Sequence, residues 1–390
     1  MTREPATPDL DPQSPAASRA PESGGSPDGG IGRFAFIIHP LRVEDFARRY
    51  PVTRRLPARL VERVFRWVPP RLVSRITGIR SPTGARAEGW FIGLPLTPRT
   101  LLESPLEFAY RRIIQAGRLA EALGARIVGL GAFTKIVGDR GVTVARHLRI
   151  PVTTGNSYTA ATAVEGALLA ARRMGIDPSG ATVAVVGATG SIGTACSHLL
   201  SREAGRLVLV ARTREALEAL ADRLRGGRAR IEVGTDVRQA VRAADVVLAV
   251  SSATDVLIEP EDLRPGAVVC DVARPRNVSR LVYERRDDVL VIDGGVIQVP
   301  GDVDFGFDFG FPPRMCEACM AETILLALER RFEPFTLGRE VDLARVEEIA
   351  ALARRHGFAL AGLRRFERAI HDGEIERIRQ AARRAGVARA

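Results

Sequence analysis

Two segments decide the fold: Thr182-Val-Ala-Val-Val186 running into Gly187-Ala-Thr-Gly190-Ser-Ile-Gly193, then Leu207-Val-Leu-Val210 running into Ala-Arg212-Thr-Arg214. The apolar run before Gly187 reads as a buried strand. The three glycines make a tight turn that lets backbone amides approach a pyrophosphate. The helix that follows aims its free N–H groups and partial positive charge at that anion. A GxxGxxG pattern alone is weak, but this one follows a strand, opens a helix and precedes a second strand at the right distance. Gly187, Thr189, Gly190, Ser191, Ile192 and Gly193 are the expected phosphate-contacting residues. At the end of the second strand an acid would bind ribose hydroxyls. Here Arg212 and Arg214 stand instead. Guanidinium groups suit a 2′-phosphate, so the expected cofactor is NADPH.

Working outward, the strand–helix alternation continues through Arg230-Ile-Glu-Val233, Asp245 to Val250, Ala267 to Asp271 and Val289 to Asp293. Six near-continuous apolar strands predict an α/β fold, a doubly wound parallel sheet covered on both faces. Ligands bind past the carboxyl ends of such strands. Ser251, Ser252, Asp271, Gly294 and Gly295 stand there and are expected to face the cofactor, with ordinary loop chemistry as the alternative. Upstream, Phe34–Ile38, Trp90–Leu94, Arg126–Gly131 and Ile150–Asn156 read as strands. Leu106–Leu123 and Thr159–Met174 read as helices.

These elements predict a domain order. Residues 1–30 are rich in Pro, Ser, Gly and Asp and are expected to be disordered. An α/β substrate domain spans 31–158, a connecting helix 159–180, the nucleotide domain 181–300, and a helical region 301–390 completes the substrate domain. The stretch 51–78 reads as a basic amphipathic region with Leu60, Val64, Trp67 and Val68 at helical spacing between arginines. It suits an anionic membrane surface, an acidic protein, or simply a half-buried helix. A second basic amphipathic helix is expected within 361–390, carrying Leu363, Phe366, Ile370, Ile375 and Ile378.

Composition bounds the answer. The 390 residues carry a net charge of +11, with a single lysine, Lys135, among 57 basic residues. The excess favours acidic partners, although an arginine-biased composition explains it equally well. No apolar run approaches a membrane span, and the first residues contain no signal core. Four cysteines in so long a chain do not make a disulfide framework, so a cytoplasmic setting is expected.

Cys316 and Cys319 fall at the predicted start of a helix running on from Pro312 to Phe332. Ile324, Leu325, Leu328 and Phe332 form its core stripe, and Cys319 points away from that stripe. A helix N-terminus lowers a thiol pKa. Three readings compete: an inert core thiol, a redox or metal pair, and a covalent nucleophile. A lone CxxC lacks the further ligands of a structural zinc, and no metal is expected. Lys135 reads either as a surface amine or as a kept ammonium that stabilises an oxyanion.

Gly187–Gly193 with Leu209-Val-Ala-Arg212, Thr154-Gly155-Asn156, Asp293-Gly-Gly295 and Ala318-Cys319-Met-Ala-Glu322 resemble the long-chain acyl-[acyl-carrier-protein] reductases of cyanobacteria. The likeness runs from about Phe34 to Phe358 and includes His39. It implies a Rossmann-type domain, NADPH-dependent reduction of acyl-ACP or acyl-CoA to a fatty aldehyde, and Cys319 as the nucleophile. Lys135 joins it as the second candidate catalytic residue. The implied partners are an acyl carrier protein or acyl-CoA; the basic amphipathic stretches add the option of a peripheral membrane contact, and no nucleic acid is expected. Tyr158, where the family has a histidine, and Lys135, where it has a small polar residue, depart from the pattern.

Val269-Cys-Asp271-Val-Ala-Arg-Pro275 and Ser251-Ser252-Ala253 also resemble the cofactor domains of glutamyl-tRNA reductases and shikimate dehydrogenases. The former place their nucleophilic cysteine before the nucleotide domain, where this chain has none. A non-catalytic NADPH-binding regulator is the alternative from another class.

Overall fold

Strand β1, Ile31–Ile38, lies inside a six-stranded sheet, and its inner residues Phe34 to Ile37 are buried. Strands β2 (Arg71–Arg80) and β3 (Arg86–Gly93) pair antiparallel, and β3 runs parallel to β1. Gly89 stands opposite Phe34 in that register. A Cβ at Gly89 would come within 2.6 Å of the Phe34 ring, so the glycine makes room for it. Strands β4 (Val128–Leu130) and β5 (Val152–Thr153) extend the sheet in parallel. This computed structural model describes residues 30–48, 50–253, 255–365 and 368–387, so all but the last residue of the expected 1–30 tail lies outside it.

The second sheet contains β6 (Thr182–Val186), β7 (Arg206–Val210), β8 (Arg230–Gly234), β9 (Val246–Ala249), β10 (Val268–Asp271) and β11 (Leu290–Asp293). All are parallel, in the order β11-β10-β9-β6-β7-β8. This is the doubly wound arrangement, and its direction of winding reverses between β6 and β9. The ligand crevice of such sheets lies at that reversal. Val, Leu and Ile fill most of these strands because both faces are covered.

After β11 the chain returns to the first sheet. Strand β12 (Val296–Gln298) starts a small antiparallel sheet, and β13 (Gly301–Asp304) pairs with β2 at the outer edge of the first sheet. Strands β14 (Met315–Glu317) and β15 (Ala359–Leu360) flank β12. The helix Ala318–Leu328 then packs against β1 and the helix Asn156–Arg173. Every one of its residues is buried.

Several expectations change here. The 51–78 region is not one amphipathic helix: a helix covers only Ala58–Phe65, and β2 follows. Pro69-Pro70 cannot continue a helix. Val61 and Phe65 form its buried face, while Leu60, Val64 and Trp67 stand in solvent. Cys316 belongs to β14, opposite Ile297, and the helix begins only at Ala318. Leu325 and Leu328 are therefore no special face, since the helix is enclosed on all sides. The 361–390 region is a short hairpin, with strands at 364–365 and 368–369, followed by a helix over Asp372–Val387. An ion pair between Arg365 and Glu374 ties hairpin to helix, and Leu363, Ile370, Ile375 and Ile378 pack into the core beside the second sheet. Phe366 lies outside the described residues.

Candidate functional site

The helix Ser191–Ser201 follows the Gly187 turn. Gly187 has φ +92°, and a Cβ there would lie 2.7 Å from the Ser251 backbone. A Cβ at Gly193 would lie 2.1 Å from the Gly187 oxygen. These two glycines therefore bring the ends of β6 and β9 and the helix together. Gly190 differs: a Cβ there would meet only the Gly187 oxygen, at 3.3 Å, so its other side is open. No side chain of Gly190 can cap the helix, and the first-turn amides of Ser191, Ile192 and Gly193 have no intrahelical acceptor. Thr189 is exposed beside them. An open cradle of uncapped amides fits the pyrophosphate of a dinucleotide. Arg212 and Arg214 stand exposed just past β7, with Arg214 3.9 Å from Glu218.

The crevice contains a residue that sequence reasoning missed. Arg140 donates to the Ser191 hydroxyl at 2.9 Å, and its backbone is left-handed with φ +58°. Burial and the nearby Arg339 both lower its pKa. The Arg140 guanidinium thus stands at the helix N-terminus, with Arg339 within electrostatic reach of it.

Ser251 is half-buried; its amide donates to Asn277 Oδ1 at 3.1 Å, and its hydroxyl accepts from Ala253. Asp271 does not face the crevice as expected. It is fully buried, and its carboxylate accepts the amides of Ala273, Asn277 and Val278 at 3.1, 3.4 and 3.2 Å. Its work is to fold that loop, and burial raises its pKa. The same loop sends Arg274 to Glu317, at 3.5 Å, and Arg276 to Asp293.

Cys319 lies in the first turn of the helix that starts at Ala318. The Ala318 amide donates to the Gly295 oxygen at 2.8 Å, which ties this helix to the chain just past the carboxyl end of β11. On its other side Gly155, with φ +72°, presses against the cysteine: a Cβ there would fall 2.3 Å from Cys319 Cα. Glu322, one turn on, is completely buried. It accepts the Thr153 hydroxyl at 2.6 Å, the Thr336 hydroxyl at 2.9 Å and the Tyr158 amide at 2.9 Å. Burial raises its pKa, and the three donors partly offset that. Glu322 therefore bonds the cysteine helix to β5 and to the helix beginning at Asn156. Tyr158 is buried, so it cannot present its ring to solvent.

The thiol of Cys319 is 3.7 Å from Glu317 Oε2. Lys135, on the short turn Ala132–Lys135, is half-buried and acts electrostatically on both Cys319 and Glu322. His39 fastens that turn. Its Nε2 accepts the Phe133 amide at 2.9 Å, so Nδ1 carries the proton and donates to Pro40 O at 3.0 Å. Burial lowers the His39 pKa to about 4, so it is neutral at pH 7.

The lowered thiol pKa expected from the helix terminus is not found. Burial pushes Cys319 up to about 12; Lys135 pulls it down, and Glu317 and Glu322 push it up further. Cys319 is only 4% exposed, and Met320 and Ile324 belong to the same apolar cluster. Desolvation disfavours the thiolate more than the helix end favours it. The arrangement is a buried thiol with a carboxylate on one side and an ammonium within electrostatic reach. Cys316 is also fully buried, and its pKa is raised well above the ordinary thiol value.

The shikimate / quinate 5-dehydrogenase family matches residues 168–293. The chain is 35% identical over 336 residues to the aminotransferase PigE of Serratia sp. (strain ATCC 39006), an alignment covering 84% of this chain. It spans only 39% of that protein's length. It is 33% identical over 305 residues to the long-chain acyl-[acyl-carrier-protein] reductase of Synechococcus elongatus, covering 74% of this chain and 87% of that one. Among solved structures, L-tryptophan dehydrogenase from Nostoc punctiforme aligns with 90% of this chain and 88% of its own, at 13% identity and a TM-score of 0.39.

Proposed function

The chain belongs to the family of the long-chain acyl-[acyl-carrier-protein] reductases, and from that premise we propose that it reduces a long-chain acyl thioester to an aldehyde with NADPH through an acyl group carried on Cys319. The observation that supports this reading most is the setting of Cys319. It combines a thiol, a carboxylate acceptor 3.7 Å away and a cationic side chain, on a helix tied to the mouth of the parallel sheet.

The Cys319 sulfur attacks the thioester carbonyl while its proton passes to Glu317. The carrier thiolate leaves and takes that proton, so acyl carrier and free cysteine become acyl-cysteine and carrier thiol. A thiol held near 12 is a weak nucleophile unless its proton has somewhere to go, and Glu317 is the nearest acceptor. Arg274 holds Glu317 on its other oxygen. Lys135 supplies positive charge for the oxyanion that develops on the acyl carbonyl. Glu322 and Gly155 position the cysteine turn, and His39 positions the Lys135 turn. When bound, NADPH would supply a hydride to the acyl carbon; the bond to the Cys319 sulfur breaks, the aldehyde departs, and the cysteine thiolate regains a proton from water. Gly190, Ser191, Ile192, Gly193 and Arg140 would hold its pyrophosphate, and Arg212 with Arg214 its 2′-phosphate. Closure of the thiol to water protects the acyl-cysteine from hydrolysis.

The test follows aldehyde formation and loss of NADPH absorbance with palmitoyl-CoA and palmitoyl carrier protein. Wild type forms aldehyde with both signals in equal amounts. Cys319→Ala forms none yet still binds NADPH. Aldehyde formation by Cys319→Ala refutes the reading.

A further inference from the structure

The helix Ala58–Phe65 presents three different rows to its surroundings. Val61 and Phe65 face inward, where Phe65 meets Phe46 at 4.1 Å and Tyr50 at 5.2 Å between ring centroids. Beside that face stands a row left largely in solvent: Leu60, Val64 and Trp67 are 45%, 53% and 77% exposed. At about 100° per residue Leu60 and Val64 share one stripe, and Trp67 follows in the turn just past the helix end, its amide donating to the Val64 oxygen. A third row, Arg59 and Arg63, flanks the stripe, and Arg54 and Arg55 extend it upstream; all four are exposed. The single acid of this helix, Glu62, is turned inward, where it is bonded by Thr97 and paired with Arg99. Its charge therefore does not offset the arginines on the outer face. Trp67 continues into an open groove shared with Pro105, Phe108 and Arg111; Glu107 is the one acid there, against Arg66, Arg111 and Arg112, and the neighbouring Leu106 is exposed as well.

We propose that this face, centred on Leu60, Val64 and Trp67, docks the protein on an anionic phospholipid surface. An apolar stripe with a tryptophan, bordered by arginines, is the pattern of a helix lying in the plane of a membrane interface. The arginines meet lipid phosphates and the stripe enters the acyl boundary. An acidic protein would satisfy the arginines but would leave the protruding Val64 and Trp67 without a reason. Contact is at the surface only, because among the described residues no helix is long and apolar enough to cross a membrane. The inference does not depend on Cys319 or on the reaction.

The experiment uses the full chain in a Trp90→Phe background, so that Trp67 is the only tryptophan reporting. Vesicles of phosphatidylglycerol with phosphatidylcholine are compared with phosphatidylcholine alone at low salt. The protein is expected to co-sediment with the anionic vesicles, and Trp67 emission to shift to the blue. The triple variant Arg55→Gln, Arg59→Gln, Arg63→Gln should bind about 100-fold more weakly, from roughly fivefold per arginine at an anionic surface. Val64→Ser with Trp67→Ser should also lose binding, with the arginines intact and the thermal midpoint unchanged. Equal binding to both vesicle types overturns the proposal, as does binding with no change in Trp67 emission. It also fails if these variants abolish self-association, or capture of an acidic carrier protein, while vesicle binding is unaffected.

Discussion

Replacing Lys135 by Met tests how the buried thiol is governed. Burial holds the Cys319 thiol up near 12, and Lys135 pulls it down. At pH 8 a thiol of pKa 12 is about one part in 10,000 thiolate, against roughly a quarter for an ordinary cysteine of pKa about 8.5. Alkylation of Cys319 by iodoacetamide should therefore be about 2,000-fold slower than that of an exposed cysteine from ionisation alone. An opposite charge at close range shifts a pKa by about one unit or more. Lys135→Met should thus slow alkylation about tenfold further at every pH. The assay is peptide-resolved mass spectrometry after timed labelling, between pH 7 and 10. The logarithm of the rate should climb by about one per pH unit with no break, in wild type and variant alike. A plateau near pH 8 would mean that the thiol is not desolvated. Parallel curves that coincide would mean that Lys135 does not act on Cys319.

Three other outcomes follow from the geometry. Arg212→Asp should weaken NADPH much more than NADH in a fluorescence titration if Arg212 meets the 2′-phosphate as proposed, since the variant adds a repelling charge; equal losses count against that role. Gly155→Ala forces a methyl group to 2.3 Å from Cys319 Cα at φ +72° and should destabilise the chain by at least about 3 kcal/mol in urea unfolding; a loss below about 1 kcal/mol would mean that the helices do not press together there. His39, lowered from 6.5 to about 4, binds its proton more readily when unfolded, so the stability it contributes is present above pH 6.5 and is lost on acidification towards 4. Between pH 7 and 4.5 wild type should lose roughly 2 kcal/mol more than His39→Gln, from the shift alone; identical losses would place the pH dependence elsewhere.

The second sheet was legible because its strands are short runs of Val, Ile and Leu bounded by glycines and charges, and burial on both faces demands that composition. Strand β2 was not, because Arg71, Arg75 and Arg80 make it read as a charged helical face; only Ile76 and Ile79 turn fully inward. Strands of two or three residues, such as β14 and β15, carry no periodicity at all, so from the sequence alone Cys316 reads as helical. The nucleotide turn was readable from its glycine spacing. Arg140 was not, since one arginine among so many is silent until its left-handed backbone and the Ser191 hydroxyl meet in space. Cys319 could be singled out by its Ala-Cys-Met-Ala-Glu setting, but its ionisation could not. Whether a helix terminus or desolvation governs a thiol depends on what covers it, and the residues that cover Cys319 come from distant parts of the chain.

The most direct measurement is the intact mass of the protein after incubation with palmitoyl-CoA in the absence of NADPH, followed by digestion to locate any adduct. A single palmitoyl group on the Cys319 peptide, released as aldehyde when NADPH is added and absent in Cys319→Ala, is the expected result. An unmodified wild-type protein that nonetheless turns over, or an adduct that persists in Cys319→Ala, contradicts the account.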